Sequence, residues 1–140
     1  MNKKKKTLII ISIIVCIILF SIVIFSLAGV KQNDWYYKLN NNYEMWHINT
    51  KEIVLGKRDD SILTDTIGDS ITEFKYNEAF VIIKCFNNDN KEVYYIVNMT
   101  DDTTYGPYNK EEYLSKEKEL NINISNWIKT KPAPKGAKYD

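Results

Sequence analysis

From Leu8 to Val30 the chain runs through 23 consecutive residues without a charge, with only Ser12, Cys16, Ser21 and Ser26 as weakly polar interruptions. As a helix rising ~1.5 Å per residue this stretch spans ~34 Å, enough to cross the hydrocarbon core of a bilayer. Its many β-branched Ile and Val residues are mediocre helix formers in water. In hydrocarbon, however, every unpaired backbone amide costs several kcal/mol, and a helix is how a single segment satisfies them. A soluble buried helix rarely stays apolar on all faces over such a length. The sequence therefore predicts a transmembrane helix or uncleaved signal anchor over residues 7–30.

The charges around the run set its expected direction. Lys3, Lys4, Lys5 and Lys6 stand just before it, whereas only Lys31 and then Asp34 follow, so the positive-inside bias keeps the N-terminus cytoplasmic and places residues 31–140 outside the membrane. Those four lysines belong to a total of 19 basic residues, which leaves 15 against 18 acidic ones in the remainder. A mildly acidic body without a basic stripe lacks the footprint that nucleic-acid binding requires. Trp35, Tyr36 and Tyr37 come next, and two readings are open: rings in the headgroup layer, or the first residues of the folded domain.

Two processing routes compete with a permanent anchor. Ser26, Leu27 and Ala28 offer the small residues a signal peptidase reads, and cleavage after Ala28 would release the protein, although the apolar run exceeds a usual signal peptide. Leu27-Ala28-Gly29 resembles the start of a bacterial lipoprotein box, but Val30 stands where the lipid-accepting thiol belongs, and an isopropyl group cannot form the thioether. Cys16 lies within the apolar run and Cys85 beyond it, so no disulfide is expected between them. Each reads as a small apolar residue, and Cys85 has only Lys84 nearby to activate its thiol. Lys, Ile and Asn fill 53 of the 140 positions while Arg occurs once, the usage of an AT-rich bacterial genome.

After an expected stalk over residues 31–42, rich in Asn, the apolar spacing becomes that of strands. Residues 43–48 alternate Tyr43, Met45, His47 against Glu44, Trp46, Ile48, and 52–55 follow after the polar turn Asn49-Thr50-Lys51, which predicts a hairpin. Residues 70–76 alternate again. Residues 79–86 and 93–97 are apolar on both faces, as central strands are, and Asn87-Asn88-Asp89-Asn90 turns between them. Gly106-Pro107 is expected to end the pairing. Asn109 with Glu112 three positions on has the form of a helix cap with its reciprocal acid, so a helix of about eleven residues should start there, with Tyr113, Leu114 and Leu120 as its apolar stripe and Glu112 paired to Lys116. Residues 129–140, with Pro132, Pro134 and four lysines, read as a solvated tail. The expected fold of residues 43–128 is α+β: a small antiparallel meander of four to six strands with one C-terminal helix.

Chemistry-bearing residues are sparse. His47 is the single histidine, in a strand, and reads as a packed or rim residue with no nucleophile motif beside it. One His and one outer Cys cannot close a zinc site, and Asp59-Asp60, Asp65, Asp69 and Asp101-Asp102 do not keep calcium-loop spacing, so no catalytic residue, metal or cofactor is predicted. Glu73 and Glu92 are the carboxylates that a cell-wall hydrolase would use. Aromatic content, 13%, is the feature above background. Most of it reads as core packing, with Tyr105, Tyr108 and Trp46 as the candidate partner-contact residues.

In order and spacing, Tyr43-Glu44-Met45-Trp46-His47-Ile48-Asn49, Glu52-Ile53-Val54-Leu55, Phe74-Lys75-Tyr76-Asn77, Phe80-Val81-Ile82, Tyr94-Tyr95-Ile96-Val97 and Asp102-Thr103-Thr104-Tyr105-Gly106-Pro107-Tyr108 resemble the bacterial domain of unknown function 3997. The likeness covers about residues 43–122. It implies a small lipoprotein or membrane-anchored envelope protein and brings no activity, cofactor or catalytic residue with it. Taken together, the expectation is a single-pass envelope protein whose outer domain is a non-catalytic interaction module with the bilayer and an envelope protein as partners. The alternatives are an immunity or inhibitor protein against an envelope or secreted enzyme, which predicts a basic partner, and the carboxylate hydrolase.

Overall fold

The computed structural model describes residues 34–48, 52–59 and 62–139. The span expected over residues 7–30, the lysine block before it and the turn Asn49-Thr50-Lys51 lie outside the described residues. No helix among the described residues is long and apolar enough to cross a membrane.

Ten strands and one helix occur among the described residues, and the strands form two five-stranded sheets rather than one meander. The first sheet contains β1 (Trp35–Lys38), β2 (Tyr43–Ile48), β3 (Glu52–Asp59) and β4 (Ile62–Ile67) as an antiparallel run, with β10 (Lys138–Tyr139) added beside β1. The second contains β5 (Glu73–Tyr76), β6 (Phe80–Phe86), β7 (Glu92–Asn98) and β8 (Thr103–Tyr108), with β9 (Ile128–Lys129) added beside β5. Helix α1 (Lys110–Glu119) follows β8. The antiparallel pairing and the single helix agree with the expectation, and the strand count exceeds it.

Each difference has an identifiable physical cause. Residues 70–76 do not stay in one strand, because Ile53 donates to Asp69 O and accepts from Ile71 N, so the start of the segment bridges to the first sheet before β5 begins in the second. That crossing divides the meander. The expected stalk is a hairpin: Trp35 is buried, β1 pairs with β2, and Asn40 Oδ1 accepts from the Asn42 and Tyr43 amides, so the asparagines are turn formers. Trp35 and Tyr37 accordingly belong to the folded domain. Pairing does not end at Gly106-Pro107. Strand β8 continues to Tyr108 through a register shift, and Pro107, which has no N–H to offer, is accommodated on the sheet's edge.

The expected solvated tail is also part of the fold, through β9, β10 and Thr130 between them. Thr130 is 1% exposed. Its hydroxyl lies 2.8 Å from Ile71 O and 2.9 Å from Thr72 O, and its amide donates to Thr72 O at 3.0 Å. The segment's lysine- and proline-rich composition hid this anchoring residue from a compositional reading.

Strands β6 and β7 explain the layering. Their register sets Val81 against Val97, Ile82 against Ile96 and Ile83 against Tyr95, so each strand is apolar on both sides. Val81, Ile83, Cys85 and Val97 join Trp35, Met45, Ile53 and Leu55 of the first sheet in one core. Ile82, Tyr94 and Ile96 form a second core with Tyr113 of α1. Of the adjacent tyrosines, Tyr94 goes beneath the helix and Tyr95 packs at the border of the main core.

The capping box predicted for α1 is present, with Asn109 Oδ1 accepting from Glu111 and Glu112 amides and Glu112 Oε2 accepting from Asn109 N. Because Glu112 serves the cap, Lys116 pairs instead with Glu119 at 2.6 Å. The apolar stripe is narrower than expected: Tyr113 is buried while Leu114 is 48% exposed. Docking relies on the Tyr113 ring stacked on Tyr94 at 4.5 Å, on Trp127 edge-on to both, and on buried Lys75, which donates to Glu117 and to Ile124 O. If Thr130 anchors the C-terminal segment, Thr130→Val should cost about 1 kcal/mol in urea unfolding, since it removes a buried hydroxyl hydrogen bond, whereas Lys135→Gln should be neutral.

Candidate binding surfaces

The three candidate contact residues do not converge. Tyr105 and Tyr108 lie on β8, opposite Ile96 and Tyr94, and both pack against the second core. Lys116 Nζ sits 4.9 Å from the Tyr105 ring centroid, so this ring is engaged on the helix side. Trp46 is on β2, in the other sheet.

Trp46 belongs to a cluster that alternation along β2 only half reveals. Glu44 and Trp46 share the side of the first sheet turned away from the main core, and β1 adds Tyr36 opposite Trp46. The two rings stack at 5.2 Å, and the Arg58 guanidinium carbon lies 5.6 Å from each centroid. Beneath them Glu44 is 1% exposed. Its carboxylate accepts from Trp46 Nε1 at 2.9 Å and from Arg58 Nη1 at 3.2 and 3.3 Å, so the buried charge is both paired and hydrogen-bonded. Gly56 lies opposite Glu44, and a Cβ built there would approach Leu63 Cγ to 2.5 Å; the missing side chain is what lets Leu63 close over the strand. A hollow of about 210 Å³ opens beside this cluster, lined by Trp46, Arg58, Ile62 and Leu63 with Asp34, His47 and Ile48. Ile62 on its border is 68% exposed. Tyr36, Arg58 and Glu44 escaped the sequence reading as site residues; the one available signal was that Arg58 is the chain's single Arg, and it lies three positions beyond the strand expected over residues 52–55, which in the structure extends to Asp59.

The second sheet carries a larger cleft, about 490 Å³, on the part of its outer side that α1 leaves open. Glu73, Lys84, Phe86, Glu92 and Lys129 line it with Thr72 and Thr130. The two candidate hydrolase carboxylates do meet here, through a lysine: Lys84 Nζ is 2.9 Å from Glu73 and 3.3 Å from Glu92. Tyr94 also donates its hydroxyl to Glu92. That hydrogen bond first, and Lys84 after it, hold the Glu92 carboxyl below its usual range, while burial pushes the Tyr94 hydroxyl up to about 12. A general acid in glycoside hydrolysis needs the opposite displacement, towards neutrality. His47 stacks on Trp35 at 5.6 Å, 4.0 Å from Asp34, in line with a packed histidine. Cys85 is buried in the main core, and desolvation pushes its thiol up to about 11.

Against this geometry, a family model described as a protein of unknown function (DUF3997) matches residues 40–130. The chain belongs to the DUF3997 family. The DUF3997 match runs from the turn before β2 to Thr130, so it takes in α1, Trp46, Arg58 and the Glu73–Lys84–Glu92 ladder, and leaves β1 and β10 outside. Comparison with curated proteins and with solved structures returned no match.

Arg58→Ala should destabilise the domain by about 2 kcal/mol, below the 3–5 typical of a fully buried pair because Arg58 is partly exposed, and the measurement is the denaturant midpoint. The acid limb of stability should respond to Glu92. Its folded pKa is depressed, so its contribution is present above its ordinary value of 4.5 and is lost as pH falls through the folded value. Glu92→Gln should therefore flatten the loss of melting temperature below pH 4.5 and leave pH-independent changes elsewhere.

Proposed function

We propose that this protein is a single-pass, membrane-anchored envelope protein whose extracytoplasmic domain binds a protein partner without catalysis. The partner-binding surface in this reading is the Tyr36–Trp46–Arg58 cluster with Ile62. The observation that carries it is the composition and rigidity of that cluster. Trp, Tyr and Arg are the residues in which binding energy concentrates at protein interfaces, and here stacking and the buried Glu44 fix their rotamers before any partner arrives. The anchor rests on the apolar run from Leu8 to Val30 and on the lysine block that precedes it.

A photo-crosslinking residue at Ile62 of the full-length chain, activated in its native membrane, tests the reading. One adduct of defined mass is expected, with affinity reduced about 30-fold or more by Tyr36→Ala, the loss typical of an interface hot spot. Adducts no stronger than those from a probe at exposed Leu114, on the helix, would remove this surface from consideration. Protease added to intact cells should digest the domain from outside, and protection would reverse the proposed topology.

A further inference from the structure

The C-terminal segment offers a second surface of different chemistry. Residues 129–139 contain Lys129, Lys131, Lys135 and Lys138 and no acid. All four lysines are exposed and, like Lys38, Lys91, Lys110 and Lys118 among the described residues, none is in an ion pair; what sets the four apart is that they fall within one short segment without an acid between them. The segment is nevertheless held in place, by buried Thr130 and Pro134, by Ala137 N donating to Pro134 O at 2.9 Å, and by strands at each end. Its cations are presented at defined positions.

Its destination is strand β1. Register sets Tyr139 against Trp35 and Lys138 against Tyr36, and only four residues separate Val30 from Trp35. The five Cα steps from Val30 to Trp35 reach at most ~18 Å when fully extended. Strand β1 follows the apolar run in the chain after four residues, so chain connectivity alone limits how far the β10 end of the segment can be from whatever surface the run is embedded in. Tyr139, 65% exposed, adds an amphipathic ring beside the lysines.

We propose that residues 129–139 form a strap that binds anionic lipid headgroups of the membrane carrying the anchor, an inference that rests on the anchored reading above. Basic segments next to a span are attracted to anionic leaflets over about a Debye length, ~8 Å at physiological ionic strength, and the short link to β1 lets the strap's end come within that range. The strap would then orient the domain on the bilayer.

The test uses the full-length chain with Tyr139→Cys carrying an environment-sensitive fluorophore. Cys16 is replaced by Ala, and Cys85 is left buried and unreactive. The protein is reconstituted in vesicles of phosphatidylcholine alone or equimolar with phosphatidylglycerol. A blue shift is expected only with phosphatidylglycerol. It should be reversed at about 1 M salt, where the Debye length is ~3 Å, and lost when all four lysines become Gln. Equal emission in the two lipids, a shift that survives salt, or one that survives the Lys→Gln changes would overturn the strap. The salt arm needs no lysine substitution, so it decides the matter even if the Gln variant misfolds. Extraction of the chain by alkaline carbonate would instead show that there is no integral anchor and would remove the inference with its foundation, whereas a retained chain with an unresponsive probe sinks the strap alone.

Discussion

Strands β6 and β7 are apolar on both sides, and a sheet with two apolar sides needs two covers. One is the first sheet, which meets Val81, Ile83 and Val97; the other is α1 with Trp127, which meets Ile82, Tyr94 and Ile96. The crossing after β4 and the return of the chain after β8 both follow from that requirement. Tyrosine hydroxyls join the two sheets at the border of the core, Tyr37 to Tyr76 at 3.0 Å and Tyr43 to Asp102 at 2.8 Å. These contacts make the layering specific, because polar groups so placed tolerate little sliding of one sheet over the other.

Each outer side of the domain contains one buried charge of opposite sign, solved in the same way. Glu44 lies under Trp46 and Arg58, and Lys75 lies beside Tyr113 and Trp127 with Glu117 as counter-ion. In both cases an aromatic group excludes water while a carboxylate–cation pair neutralises the charge, which lowers the penalty that burial alone would impose. Beneath the helix the arrangement serves docking. On the first sheet it leaves rings and guanidinium at the surface, which is why we propose that side as the recognition surface.

Much of the fold was legible. The hairpin of β2 and β3, the two-sided character of β6 and β7, and the cap of α1 each depend on neighbours within a few residues, where alternation and capping chemistry act. What escaped depends on distant partners. Strand β1 looked like a stalk because Asn-rich turns and linkers share a composition, and β9 and β10 are two residues each, too short for any period. Strand β4 has alternating Thr and Asp that only its place beside β3 makes a strand. The same limit applies to the candidate surface: alternation put Glu44 and Trp46 on one side of β2, but Tyr36 and Arg58 arrive from β1 and β3, and nothing local announces that meeting.

The edges of the two sheets share one property. Strand β8 contains Pro107, β9 and β10 are short, and β4 is interrupted by the register shift opposite Leu55 and Lys57, where Asp65 takes a positive φ of 50°. No outer strand among the described residues therefore presents a long, regular row of free amides and carbonyls. Such rows are templates on which further chains add and aggregate, and a bulge, a proline or brevity removes them. The domain can thus be crowded with copies of itself while its hydrogen bonding stays within one molecule, leaving association to side chains.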